Sequence, residues 1–433
     1  MQYNDMQNIK RGEKIMARNR RNVRRRTIKD YLNMKTFLII VGVLLLVIVI
    51  CLGVQGYKQY EDKMLLAKQK EELAKQSEQI FADMESNISQ TNQTISETDE
   101  LIRMSAVGDI LCGEGMLKDA YQEETNSYDF SHMFQGISGF INKADIVMGT
   151  METNFTSGAY TSENTPKEFA QAVKDSGINV VSISHNHSLD YGVQGLKDTK
   201  SYLEELGYST VGDKLENDNA VLIKTVKKTK IAFLTYTYGV NSQWAKSEED
   251  LKSINIYSEK QVKSDVDYAK KQGAEYICVM IHWGDAISDT VTDEQKKMAD
   301  FLVDSGVDMI LGSHPSVVQS MEIRKNKEGK NVFIAYSIGT YISTLADDNA
   351  KIELVLNIEL RKSGKDGKVY LNKVDYTPIY VLDHGQNADN RYELIDMKNA
   401  ASDYTGNNAA NISRSTYDKI IVGLDKLEKL LAK

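Results

Sequence analysis

Five apolar runs, each closed by a short polar cluster, constrain this chain more than any other feature. Met104–Val107 leads into Gly108-Asp109, and Asp145–Met148 leads to Glu152. Asn179–Ile183 ends in Ser184-His185-Asn186-His187, Tyr276–Ile281 in His282-Trp283-Gly284, and Val307–Leu311 in Ser313-His314-Pro315. Short apolar runs with helical patterns between them read as buried strands of a mostly parallel sheet. The strand ends of such a sheet converge on one rim, where ligands collect. Four of the six histidines sit in these clusters.

The N-terminal part has a different character. Residues 1–35 hold eleven Lys/Arg, among them Arg20, Arg21 and Arg24–Arg26, against Asp5, Glu13 and Asp30. This excess of eight leaves −16 on the remainder of a chain whose net charge is −8. Thr36–Val54 then runs 19 residues without a charge, about 28 Å as a helix, against a hydrocarbon core of roughly 30 Å. A basic cluster before the apolar span, against a mixed flank of Lys58, Glu61, Asp62 and Lys63 after it, predicts a single-pass anchor in the cytoplasmic membrane, with the N-terminus cytoplasmic and the main body outside. No small-residue cleavage site follows the span, so an uncleaved anchor is expected rather than a signal peptide. A basic head on an acidic body gives no reason to expect nucleic-acid binding.

The expected organisation is a basic head (1–35), a transmembrane helix (36–54), a helical stalk and linker (55–103), a main domain (104–385) and a polar tail ending in a helix (386–433). Leu66, Leu73 and Ile80, and likewise Phe81, Ile88 and Ile95, recur every seven residues in the stalk. In the main domain, helices are expected at Pro166–Ser176, Val193–Leu206, Ser258–Gln272 and Asp293–Ser305. A hairpin is expected around Lys227-Lys228-Thr229, and strands at Val317–Arg324, Val332–Ser337, Ile352–Arg361 and Val369–Val381. The β-rich ending implies an α/β sandwich of two sheets. Asn387–Thr416 reads as loop. Cys51, Cys112 and Cys278 exclude a disulfide framework but leave a single Cys112–Cys278 bridge open.

On chemistry alone, Asp109 and Glu152 supply carboxylates, Asn186 an amide oxygen, and His282 and His314 imidazoles. Together they form a donor set suited to a divalent metal ion such as Mn, Zn, Fe or Mg. His187 is placed to donate a proton to a leaving group, and Asp190 to orient a histidine or cap the helix that follows. His132 and His384 read as structural or surface residues.

The motifs GDIL, METNF, SHNHSLDYGVQGLKDT, HWGD, GVDMILGSHPSVVQ and YSIGTY resemble, in this order, the bacterial capsule synthesis family CapA/PgsA. That family makes or exports poly-γ-glutamate and is similar to calcineurin-like metallophosphoesterases. The resemblance spans roughly Met104 to Tyr341. It implies a metallophosphoesterase-like α/β sandwich ectodomain, a hydrolase site at the strand ends, and other capsule-synthesis membrane subunits as partners. The substrate would be an anionic polymer or another envelope component. By the same resemblance Glu152 bridges two metals, Asn186, His282 and His314 complete one shell, and His187 is the general acid. Asp109 would begin the second shell. Leu111 and Ser316, however, stand where that shell needs imidazoles, Ala286 replaces a glutamate, and Thr340-Tyr341 replaces Asn-Phe. His185 stands where an asparagine is usual and is a further ligand. A non-catalytic scaffold or polymer-handling subunit of a membrane synthase is the alternative.

Overall fold

The computed structural model describes a few positions between 16 and 39 and residues 41–68, 95–141, 143–241, 247–345, 347–405 and 412–431. Two compact units result, Met1–Glu72 and Leu73–Lys433. In the first, helix α1 (Asn33–Lys68) is long and apolar enough to cross a membrane. Consecutive residues Val43 to Ile50 are exposed around its whole circumference, a pattern that suits lipid rather than a protein core. The helix runs on through Tyr57–Lys68, the first part of the expected stalk. The heptad positions Leu73, Ile80, Phe81 and Ile88, and most of the basic head, lie outside the described residues.

The second unit begins with β1 (Glu100–Ile110), α2 (Glu114–Ala120), the small hairpin β2 (Tyr121–Gln122) and β3 (Ser127–Tyr128), and α3 (Ser138–Ile141). There follow β4 (Ile146–Met151), α4 (Lys167–Asp175), β5 (Val180–Ser182), α5 (Gly192–Glu205) and β6 (Ser209–Val211). The chain then builds β7 (Val221–Val226), β8 (Thr229–Thr237), α6 (Glu248–Leu251), α7 (Glu259–Lys271), β9 (Tyr276–His282) and α8 (Asp293–Ser305). After these come β10 (Met309–Ser313), β11 (Met321–Lys325) and β12 (Asn331–Ala335). Finally β13 (Thr340–Ile342), β14 (Ile352–Lys362), β15 (Val369–Asp383) and β16 (Tyr392–Asp396) lead to helices α9 (Met397–Thr405) and α10 (Arg414–Leu431).

Among the described residues these strands form an eight-stranded sheet, β16-β15-β14-β1-β4-β5-β6 with β13 also on β1, and a six-stranded sheet, β11-β12-β10-β9-β8-β7. β1, β4, β5 and β6 are mutually parallel, as are β8, β9, β10 and β12. The first sheet buries Val107, Ile110, Val147 and Val181 beside Phe169, Val173 and Leu196 of its helices. The second buries Ile277, Val279 and Ile281 beside Val262, Val266, Ala299 and Leu302. Alternation along β9 therefore turns Cys278, Met280 and His282 the other way, toward the first sheet. Hydroxyl pairs tie the sheets together: Thr150 Oγ1 lies 3.3 Å from Ser313 Oγ, and Ser182 Oγ 2.5 Å from Thr235 Oγ1. The expected α/β sandwich of two sheets is what forms.

Register explains how one acidic residue reaches the seam. The β1–β4 pairing shifts between Ala106 and Asp109, and an irregularity of this kind switches the face of the residues beyond it. Val107 and Ile110 thus share the outer core, and Asp109 is fully buried on the opposite side. Gly108 is required there. A Cβ on it would lie 1.8 Å from the carbonyl oxygen of Gly339, and that oxygen accepts a hydrogen bond from Asp109 N at 3.1 Å.

Two local readings change. The expected strand Val317–Arg324 begins only at Met321, as β11 (Met321–Lys325), because His314 and Ser316 take positive φ (93° and 57°) and turn the chain out of the sheet. Within Asn387–Thr416, read as loop, β16 pairs β15 and α9 follows. Tyr392 and Leu394 point inward between polar residues, the alternation of a half-covered edge strand. Cys112 and Cys278 are buried free thiols.

Replacing Gly108 by Ala must push β1 and the Gly339 backbone apart. We expect Gly108→Ala to lower unfolding stability by about 1–3 kcal/mol, read from the urea midpoint of the full chain in detergent. A change within error would show that the contact yields freely.

Candidate functional site

Each strand end delivers its side chain to the seam. Asp109 comes from β1, Glu152 from just beyond β4, His185-Asn186-His187 from the β5–α5 turn, His282 from the last position of β9, and His314 from just beyond β10. The β9 end is pinned by its neighbour Trp283, fully buried with Nε1 donating to Tyr336 O at 2.8 Å. His282 Nε2 is the hub. It lies 2.8 Å from Asn186 Oδ1, 3.1 Å from His314 Nδ1 and 3.6 Å from Glu152 Oε1. Ligand atoms of Glu152, His282 and His314 all lie within 4.8 Å of one another.

Nitrogen and oxygen lone pairs crowded this closely in a buried place repel unless a proton or a cation sits among them. Burial, Asp109 and Asp190 together hold the Glu152 carboxyl well above its ordinary range. Burial first, then the neighbouring His282, pushes His314 down to about 4, so that it is a neutral imidazole near pH 7. Two imidazoles, an amide oxygen and one carboxylate make a borderline donor set that fits a divalent ion.

Asp109, placed among the ligands by its sequence setting, stands behind His282. Its Oδ2 accepts from the backbone N of His314 at 2.6 Å, and its Oδ1 is 3.3 Å from His282 Nδ1. Oδ1 has no hydrogen-bond partner within the standard limits. The hydrogen-bonding group at His282 Nδ1 is Ser313 Oγ, 3.1 Å away, and an acceptor there selects the tautomer that leaves the Nε2 lone pair free for a cation. The Asp109 carboxylate fixes the positive-φ backbone of His314.

His185 is buried with Nδ1 unpartnered, its ring 6.2 Å from that of His282. Burial, and next His282, drives its imidazole well below the ordinary range. His187 is partly exposed, and its Nδ1 lies 2.6 Å from Asp190 Oδ2. His132 and His384 stay outside the site, paired with Asp119 and Glu393.

Sequence reading missed the turn after β8. Tyr238 places its ring 4.9 Å from that of His314, its backbone N donates to His282 O at 2.9 Å, and Asn241 reaches the His187–Asp190 pair. The signal was present: Lys230–Thr237 is another apolar run closed by a polar cluster. Thr340 and Glu353 were missed too. Glu353, fully buried on β14, accepts from the backbone N of Thr340 at 2.5 Å and from its hydroxyl.

Fold and cluster together define a two-sheet α/β protein that gathers carboxylate, amide and imidazole side chains at its strand ends. The chain belongs to the bacterial capsule synthesis protein PGA_cap family, whose model matches residues 103–345. It is 27% identical to the capsule biosynthesis protein CapA of Bacillus anthracis over 279 residues, covering 61% of this chain. The chain spans 65% of the length of that relative. The PGA biosynthesis protein CapA of Bacillus subtilis is 24% identical over 290 residues, 65% of this chain and 72% of that protein. Among solved structures, the calcineurin-like phosphoesterase YfkN from Bacillus subtilis is similar at 12% identity and a TM-score of 0.40, over 76% of this chain and 98% of the other. Likeness at that level transfers no chemistry, and the architecture stands on its own strand order.

Acid should expose the cost of keeping these imidazoles neutral. In the unfolded chain His185 and His314 take up protons below their ordinary 6.5, whereas in the fold they resist, His314 to about 4. Stability therefore falls as pH drops from 6.5 toward 4, by up to about 1.4 kcal/mol per pH unit for each histidine. Glu152, raised by burial, works in the opposite sense, so a difference is the cleaner measurement. In chelator, wild type should lose more stability over this window than His185→Gln. Parallel curves would refute the assignment for His185.

Proposed function

We propose that this protein is a membrane-anchored CapA-like component of capsule, poly-γ-glutamate or cell-envelope polymer synthesis whose body is a metal-dependent hydrolase. The observation that carries the reading is the meeting of Glu152, Asn186, His282 and His314 around one point, from four strand ends of two sheets. Those four side chains would hold a divalent ion. Such an ion supplies a water of lowered pKa and polarises the bond to be cleaved. Ser313 at Nδ1 keeps His282 in the ligating tautomer, and His187, oriented by Asp190, delivers a proton from Nε2 to the leaving group. Tyr238 walls the site beside His314.

Helix α1 is the anchor in this reading, with the basic head in the cytoplasm and the body outside. Protease added to intact protoplasts should then remove the body and spare the head, and protection of the body would reverse the topology. With −16 outside the head, the body repels an anionic polymer that comes within a screening length of about 8 Å of its surface. Contact with such a substrate is accordingly confined to the cation and its rim.

The full chain in mild detergent, equilibrated with Mn²⁺ or Zn²⁺ and desalted, should retain one equivalent by elemental analysis. His282→Ala and Glu152→Gln should each lower retention about tenfold or more, and a wild type that retains none would end the metal reading. Leu111 and Ser316, standing where a second cation would need imidazoles, favour a second reading: a non-catalytic scaffold or polymer-handling subunit beside other capsule-synthesis membrane subunits. Glu152→Gln combined with His314→Ala separates the two. Lost hydrolysis of a chromogenic phosphodiester with the membrane complex intact marks an enzyme, whereas unchanged polymer production marks a scaffold.

A further inference from the structure

Asn241 lies just beyond β8 in the second sheet, yet its amide enters the β5–α5 turn of the first. Its Nδ2 is 3.0 Å from His187 Nδ1 and 3.3 Å from Asp190 Oδ1. Its backbone N donates to Asn186 O at 2.8 Å. The amide's orientation follows from chemistry: turned over, its oxygen would face the Asp190 carboxylate, and two acceptors would meet. With nitrogen toward the carboxylate, one N–H satisfies Oδ1 and leaves Oδ2 for the 2.6 Å contact with His187 Nδ1.

We propose that Asn241 is a positioning residue that locks the His187–Asp190 pair from the opposite sheet. Two hydrogen bonds hold the turn from that side: Asn241 Nδ2 donating to Asp190 Oδ1, and the main-chain bond to Asn186 O. On the near side, Asn154 Nδ2 donates to His187 O at 3.0 Å. The histidine is thus clamped at its backbone by the first sheet, and the carboxylate that holds its ring is held from the second. Its Nε2 is the nitrogen left to act. A carboxylate with one oxygen already hydrogen-bonded cannot rotate to present both oxygens to the ring, so the ring angle is fixed before any substrate arrives. A shift of about 1 Å at an acid of this kind costs on the order of 10²-fold in rate.

Insofar as His187 is the proton donor of the proposed hydrolase, this inference rests on that reading, although the geometry of the pair does not. The test therefore has two arms. In the first, proton spectra of the full chain in detergent are examined for the far-downfield Nδ1–H of His187, identified by its loss in Asp190→Asn. Asn241→Asp keeps the shape of the side chain but replaces the donor with a second carboxylate, and Asn241→Ala removes both. We expect the resonance to vanish, or to exchange with water at least tenfold faster, in both variants. Thermal midpoints and the visible spectrum of bound Co²⁺ should stay unchanged, which separates positioning from folding and from the cation ligands. A resonance that persists in Asn241→Asp, or is missing in wild type, overturns the proposal. In the second arm, kcat on a chromogenic phosphodiester should fall about 10²-fold in both variants with KM held. A kcat unchanged in Asn241→Asp also overturns it. Wild type that shows the resonance but no hydrolysis refutes the hydrolase reading and leaves the positioning role standing.

Discussion

The dry seam between the two sheets is the constraint from which the site follows. Glu152 and Asp109 are carboxylates removed from water, and a buried charge must be compensated or neutralised. Burial and the neighbouring Asp109 and Asp190 all push the Glu152 carboxyl upward. Its nearby partner is an imidazole nitrogen rather than a lysine or arginine. Burial and the neighbouring acids favour the protonated carboxyl there, and a cation held by the same atoms would relieve that cost. A site of this kind costs stability in the empty protein and regains it on binding, because an ion that binds the folded chain alone stabilises it by mass action.

Support for the seam runs deeper than the residues that touch it. Glu353 holds Thr340 through its backbone N and its hydroxyl. Thr340 stands in register with Asp109 on β13 and β1, and the preceding carbonyl, Gly339 O, accepts from Asp109 N. Asp109 in turn holds the backbone of His314 and places its other oxygen 3.3 Å behind His282 Nδ1. A buried carboxylate on β14 thereby sets the position of two imidazoles it never contacts. Breaking such a chain by removing one member leaves another buried polar group unsatisfied, which is dearer than never having built it.

Much of this was legible in the amino-acid order because parallel strands leave a strong trace: an apolar run, then polar residues that packing does not ask for. That trace located Asp109, Glu152, Asn186, His282 and His314, and the helices α7 and α8, whose Ser258 and Thr292 caps are written in the chain. It could not show the register shift near Gly108, since a shift of one position is decided by which carbonyl the backbone approaches. Nor could it find Glu353, whose strand reads as one apolar run with a carboxylate in it. Edge strand β16 was lost for the reverse reason: alternation with only two inward residues resembles a loop. Tyr238 and Asn241 obeyed the strand-end rule but carry side chains that seldom announce a site.

The two substitutions at Leu111 and Ser316 decide what chemistry the pocket can support. Ser316 Oγ donates to His314 O at 3.2 Å, so its hydroxyl is committed to the turn. With no imidazole at either position, the neighbourhood of Asp109 offers a carboxylate oxygen without a hydrogen-bond partner and little else to bind a second ion. One cation can polarise a bond and acidify a water, but it cannot brace the attacking and leaving oxygens together. The leaving group must then be assisted by the protein itself. His187 is the partly exposed imidazole of the cluster whose ring is held by a carboxylate through one nitrogen, leaving the other available for that work. On the proposed hydrolase reading, a single ion would leave catalysis to rest on the His187–Asp190 pair and on whatever keeps that pair in place.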